Sequence, residues 1–173
     1  LAQLSSRNDN LPQVTSTFNA AKDMIEHPSY NIVVCGEVKK GKSSLLNAIV
    51  GKDILPVNNE IATSQVFRIT NSAVESFSLV FTDGTRKTIN REELSRYGSQ
   101  VDATLQTQEI FRDHTLFYIE VNIPVAFLPN GVSLVDTPGL GALYKSHEWI
   151  TQNYVKNASA VVFVMDPERP LVE

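Results

Sequence analysis

Gly36-Glu37-Val38-Lys39-Lys40-Gly41-Lys42-Ser43 constrains the fold more than any other stretch of this chain. It fits the pattern G-x-x-x-x-G-K-[ST], and its flanks supply the context that the pattern requires. On its N-terminal side Asn31-Ile32-Val33-Val34-Cys35 is apolar and β-branched at consecutive positions, as a strand covered on both faces should be. On its C-terminal side Leu45, Leu46, Ile49 and Val50 form the apolar face of a helix, and Gly51 stands where a C-cap glycine belongs. A strand, a tight glycine-bounded loop and a helix form a unit that folds back onto a parallel sheet.

Each residue type in the loop has a mechanical reason. Gly36 and Gly41 let successive backbone N–H groups of Glu37, Val38, Lys39 and Lys40 turn inward around phosphate oxygens, and the start of the helix adds its partial positive charge at Lys42, Ser43 and Ser44. Lys42 brings a full charge to the β- and γ-phosphates, and Ser43 offers an oxygen to Mg²⁺. Lys39 and Lys40 can serve the phosphates or be plain surface charge.

Composition fits one folded nucleotide-binding domain. The 173 residues are 42% hydrophobic and 20% charged, which excludes a disordered tail, a collagen-like repeat and a coiled-coil rod. A formal charge of -4 means that a polyanion must be met locally, not by the whole surface, and nucleic acid is not an expected partner. Cys35 is the only cysteine, so a disulfide framework is excluded and a cytosolic compartment is expected. No apolar run reaches the roughly 18 to 20 residues of a membrane span. His27, His114 and His147 have no carboxylate or thiol neighbours at ligand spacing, so none is expected to bind a metal.

Strands are also expected at 65–70, 76–82, 85–89, 116–123, 132–136 and 160–165, the second and third joined by the hairpin signal Asp83-Gly84. Leu116 to Ile123 alternates like an exposed or edge strand, whereas Ala160 to Met165 reads as another buried one. Helices are expected at 11–26, 91–97 and 147–157, with a helical tendency at 100–114. The fold class is therefore α/β, of the phosphate-loop NTPase type, with a mostly parallel sheet, flanking helices and an antiparallel hairpin extension.

A phosphate loop needs an acid at the end of a neighbouring buried strand, and Asp136 closes Val132-Ser133-Leu134-Val135 in that way. Asp136-Thr137-Pro138-Gly139 is the D-x-x-G signature of a nucleotide switch, in which the Gly139 N–H bonds a γ-phosphate and lets go after hydrolysis. A threonine from a flexible loop completes the Mg²⁺ shell. Thr63 in Glu60-Ile61-Ala62-Thr63-Ser64 is the best placed, with Ser64 its competitor. The metal set is then Ser43, Thr63 and Asp136.

Taken with Leu45-Leu46-Asn47-Ala48 and Leu55-Pro56, these motifs make the chain resemble the N-terminal half of a dynamin-superfamily GTPase domain, the bacterial dynamin-like branch in particular. The resemblance implies GTP and GDP as substrate and product, Mg²⁺, a homodimer formed through the nucleotide face, and membrane remodelling through segments outside this chain. It places the protein in the cytoplasm, peripheral to the inner face of a membrane. Residues 1–27 resemble a segment leading to a helical neck or stalk, and 28–173 the first portion of the GTPase domain. The C-terminal part of the domain, with the guanine-reading motif, is expected beyond Glu173, so the chain alone should be weak or inactive. Lys39 stands where many members carry a small polar ligand for a monovalent cation, and Leu140 where small GTPases carry a water-orienting glutamine. Lys42, Thr63 and Lys39 are the candidate catalytic residues. Two other readings share the motifs: an RNA-associated GTPase of the Era kind, and a nucleotide-dependent scaffold without turnover.

Overall fold

The computed structural model describes residues 28–57, 65–98, 115–139 and 151–167 apart from 153, together with Phe18 and Lys22. Phe18 and Lys22 are helical, as expected for 11–26. The stretch 100–114, Thr63 and Ser64, Leu140, Trp149 and the three histidines lie outside the described residues.

In chain order the elements are β1 (Tyr30–Gly36), α1 (Lys42–Val50), β2 (Phe67–Asn71), β3 (Ser76–Phe81), β4 (Arg86–Ile89), α2 (Arg91–Gly98), β5 (Leu116–Ile123), β6 (Val132–Asp136) and β7 (Ala160–Val164). They form a seven-stranded sheet in the order β4-β3-β5-β2-β6-β1-β7. Strand β1 runs parallel to β6 and β7, and β2 parallel to β5. The β2–β6, β3–β4 and β3–β5 pairs are antiparallel.

Period-two alternation sorts the core onto two faces. Val34, Phe67, Ile69, Leu79, Ile119, Val121, Ile123 and Leu134 share one face with Leu46 and Val50 of α1 and Leu94 and Tyr97 of α2. Val33, Val66, Val80, Tyr118 and Val135 share the other, under Tyr154 and Val155, which are helical with Thr151, Gln152 and Lys156, and Ala158 just after them. Helix α2 is closed by a reciprocal capping box, with the Glu93 N–H donating to Asn90 Oδ1 at 3.0 Å and the Asn90 N–H to Glu93 Oε2 at 2.8 Å. Gly51 ends α1 in the left-handed region at φ 69°.

Three expectations are corrected. Strand β5 lies inside the sheet between β2 and β3, not at an edge. Its alternation reports one fully buried face, Ile119, Val121 and Ile123, but backbone pairing on both sides leaves no mark on side-chain pattern. Strand β7 is the end strand of this sheet, with Val161, Val162, Phe163 and Met165 39–50% exposed. Its consecutive apolar residues suit a strand covered on both faces, and that cover is not among the described residues. In α1 only Leu46 and Val50 of the apolar four are buried, because the polar Asn47 takes the inward position beside them.

Candidate functional site

The parallel triplet β6-β1-β7 brings the C-terminal ends of three strands together, the place where open α/β sheets bind ligands. The phosphate loop leaves the end of β1 there. Gly36 is required by crowding as well as conformation: at φ 145° its Cβ position lies 2.2 Å from the carbonyl oxygen of Val164 in β7. Gly41 is required by conformation alone, since at φ 86° nothing lies within 4 Å of a Cβ there. Between them Lys39 holds φ 61°, the one described non-glycine residue at positive φ, where strain is characteristically stored at ligand-binding turns.

Lys42 is only 6% exposed, and its Nζ donates to the Glu37 carbonyl at 2.8 Å, bridging its own loop. Burial lowers its pKa, while the charge of Asp136 and then Cys35 pulls it back up. Lys40 instead reaches Asp166 just after β7, with Nζ to Oδ2 at 2.5 Å. Ser44 is exposed on the first turn of α1 and borders a cleft of about 400 Å³ with Asn47, Ala48, Lys52, Asp53 and Val57.

Asp136 ends β6 with its backbone opposite Val34 of β1 and Phe67 of β2, and it is completely buried. Ser43 Oγ donates to Asp136 Oδ2 at 2.5 Å, joining the two motifs the sequence placed far apart. The other oxygen, Oδ1, is buried and has no hydrogen-bond partner. Burial raises the Asp136 carboxyl to about 6, against the Ser43 hydrogen bond and the Lys42 charge, which both lower it. A buried carboxylate oxygen left over beside a serine hydroxyl suits a hard cation that prefers oxygen and keeps several waters, which is the chemistry of Mg²⁺. Among the described residues no group of three His, Cys, Asp or Glu side chains forms a metal cage, so such an ion would depend on substrate phosphates as well.

The residues after Asp136 are pinned in turn. Thr137 Oγ1 donates to the Val34 carbonyl at 3.0 Å. Gly139 packs so tightly on the phosphate loop that a Cβ would stand 2.5 Å from Val38 Cα. The other loop root is fixed by Asn47: its Nδ2 donates to the Leu55 carbonyl at 2.9 Å, and its Oδ1 accepts from the Ile54 and Leu55 N–H groups at 3.2 and 2.8 Å. Arg91 adds a bond from Nη2 to the Asp53 carbonyl at 2.9 Å. The structure thus brings Gly36 to Ser43, Asp136 and Gly139 to one place, while the position of Thr63 lies outside the described residues.

The family model described as the dynamin family matches residues 32–173. The chain belongs to the dynamin family. Its resemblance extends beyond that match to whole-chain relatives. It is 30% identical over 168 residues to an uncharacterized protein in the xynA 3′ region of Caldicellulosiruptor sp., covering 97% of this chain and 40% of that protein. It is 28% identical over 173 residues to the isoniazid-induced protein IniA of Mycobacterium tuberculosis, covering 100% and 26%. It is 25% identical over 172 residues to the bacterial dynamin-like protein of Nostoc punctiforme, covering 96% and 24%. A solved structure described as an oligomerised bacterial dynamin pair superposes with a TM-score of 0.57 at 25% identity, over 86% of this chain and 22% of that one. This dynamin-family chain therefore spans less than half the length of each of these relatives. The sequence motifs assign no anchoring role to two residues that the structure uses. Asn47 was visible as a polar residue on an apolar helix, one turn after Ser43; Thr151, considered below, gave no signal at all.

Proposed function

We propose that this chain carries the phosphate-binding first portion of the GTPase domain of a protein that hydrolyses GTP to GDP and phosphate. The observation that carries the reading is the Ser43–Asp136 bond with the buried, unpartnered Asp136 Oδ1 beside it, at the mouth of a glycine-bounded loop. The backbone N–H groups of Glu37 to Ser44 cradle the phosphates, and Lys42 exchanges the Glu37 carbonyl for β- and γ-phosphate oxygens. Mg²⁺, held by Ser43, Thr63 and Asp136, would neutralise charge on the phosphate oxygens. Gly139 donates its N–H to the γ-phosphate. Water attacks the γ-phosphorus, the bond to the bridging oxygen breaks, and GDP leaves with inorganic phosphate after the water gives up its proton.

Lys39 is assigned the charge at the bridging oxygen that other members draw from a monovalent ion; its left-handed backbone points to a position held for function. Residues 28–173 are read as the first portion of the GTPase domain and 1–27 as a lead into a stalk. Dimerisation through the nucleotide face, and membrane remodelling from the cytoplasmic side, are supported by similarity to bacterial dynamin relatives. Among the described residues no helix is long and apolar enough to cross a membrane; the assignment of membrane contact to other segments is taken from the dynamin resemblance. Nucleic acid is not a partner in this reading. Phosphate release from GTP by the full-length protein, with and without Lys42→Ala, tests it: turnover lost with GTP binding in the variant supports the assignment, and tight GTP binding by Lys42→Ala sinks it. Nucleotide binding without turnover in the unmodified protein identifies a scaffold instead.

A further inference from the structure

Thr151 is 2% exposed, and its Oγ1 donates to the Pro138 carbonyl at 2.9 Å. That carbonyl belongs to the same planar, trans peptide unit as the Gly139 N–H, so the two point in opposite directions and turn together. Whatever holds the Pro138 oxygen therefore aims the Gly139 proton.

The local sequence leaves this peptide plane unusually free. Its direction depends on ψ of Pro138 and φ of Gly139. The proline ring fixes only the φ of Pro138, and glycine imposes almost no limit on its own φ. The preceding residue is already tied, because Thr137 Oγ1 is bonded to the Val34 carbonyl at 3.0 Å. Crowding against Val38 restrains the position of Gly139. Thr151 has what a clamp needs: a side chain stiff at χ1, on a helical residue close in sequence to Tyr154 and Val155, which pack with Ala158 on Val33, Val66, Val80, Tyr118 and Val135.

We propose that Thr151 is a positioning residue for the γ-phosphate contact, setting the direction of the Gly139 N–H through its bond to the Pro138 carbonyl. The inference rests on the GTPase reading above and on the role it gives Gly139. Discrimination between GTP and GDP then depends on a hydroxyl that touches neither nucleotide nor metal.

The test compares full-length wild type with Thr151→Val, which keeps the shape and loses the hydroxyl, Thr151→Ala, and Thr151→Ser, which keeps the hydroxyl. Affinities for GDP and for a non-hydrolysable GTP analogue are measured by titration with fluorescent nucleotides, alongside kcat and KM for GTP. The valine and alanine variants should bind the analogue about tenfold more weakly with GDP affinity unchanged, and kcat should fall; serine should restore both. A wild-type ratio of analogue to GDP affinity in the valine and alanine variants overturns the inference and leaves the GTPase reading intact. Equal loss of both affinities in these variants shows a general structural role and overturns it as well. Wild-type protein that binds neither nucleotide removes the GTPase reading and this inference with it.

Discussion

Asp136→Asn separates the electrostatic cost of the site from its function. The wild-type carboxyl, raised by burial to about 6 from the usual 3.8, favours its neutral form in the folded chain more than in the unfolded one. Between these values the folded state holds the extra proton, so stability is greatest below 3.8 and falls as pH rises through about 6. At about 1.4 kcal/mol per tenfold change in proton affinity, the whole displacement corresponds to about 3 kcal/mol. Asparagine keeps an acceptor for Ser43 and abolishes the titration. It also places an amide N–H where Oδ1 had no partner, but that offset does not vary with pH and cancels when two pH values are compared. Urea unfolding of this domain's transition, without nucleotide and with EDTA, should show the stability of Asp136→Asn relative to wild type rising by about 2 to 3 kcal/mol from pH 4 to pH 7.5. The same variant should lose Mg²⁺-dependent GTP binding. A difference between the two proteins that is flat across this range, or that runs the other way, refutes the account of Asp136 as a strained, buried carboxylate.

Gly139→Ala should weaken GTP-analogue binding at least tenfold and destabilise the domain by about 1 to 3 kcal/mol, because its Cβ would meet the Val38 backbone N and Cα as well as Val38 Cγ2; calorimetric titration and thermal melts check both. Thr63→Ala should spare GDP binding and slow single-turnover hydrolysis, and the same phenotype in Ser64→Ala alone would move the ligand by one residue. Lys39→Ser should lower turnover and make it depend on K⁺ or Na⁺, whereas strong K⁺ dependence in the unmodified protein would return Lys39 to the surface.

The chemistry of the site was more legible in the sequence than its setting. Gly36, Gly41, Lys42, Ser43, Asp136 and Gly139 could be found because backbone geometry or charge admits few residue types at each place. Burial of β1 and β6 was legible for a similar reason, since their consecutive apolar residues need cover on both faces. The places of β5 and β7 were not, because strand order is decided by pairings between distant segments. The bulge between Val80 and Phe81 illustrates the limit: it interrupts the β3–β5 register, and Phe117 stacks toward Tyr118 and Tyr154 with ring centroids at 5.3 and 6.0 Å. Asn47 acts through backbone N–H and carbonyl groups and Thr151 through a backbone carbonyl, groups common to nearly all residues, so no partner residue type betrays them. Thr63 awaits its test.

Ser43 and Asp136, in contact through their side chains, are 93 residues apart in the chain. Closing a loop of that length in a flexible polymer costs roughly 4 kcal/mol of chain entropy, more than one hydrogen bond returns. The intervening strands shorten the gap if they condense first: the β3–β4 hairpin is local, β5 then joins β3 and β2, and β6 arrives beside β2 before it meets β1. Nucleotide-binding competence on this account waits until β6 has been made. A nascent chain released before Val132 carries an intact phosphate loop that has no acid to work with, and capture of nucleotide would report the arrival of β6 beside β1, not the making of the loop.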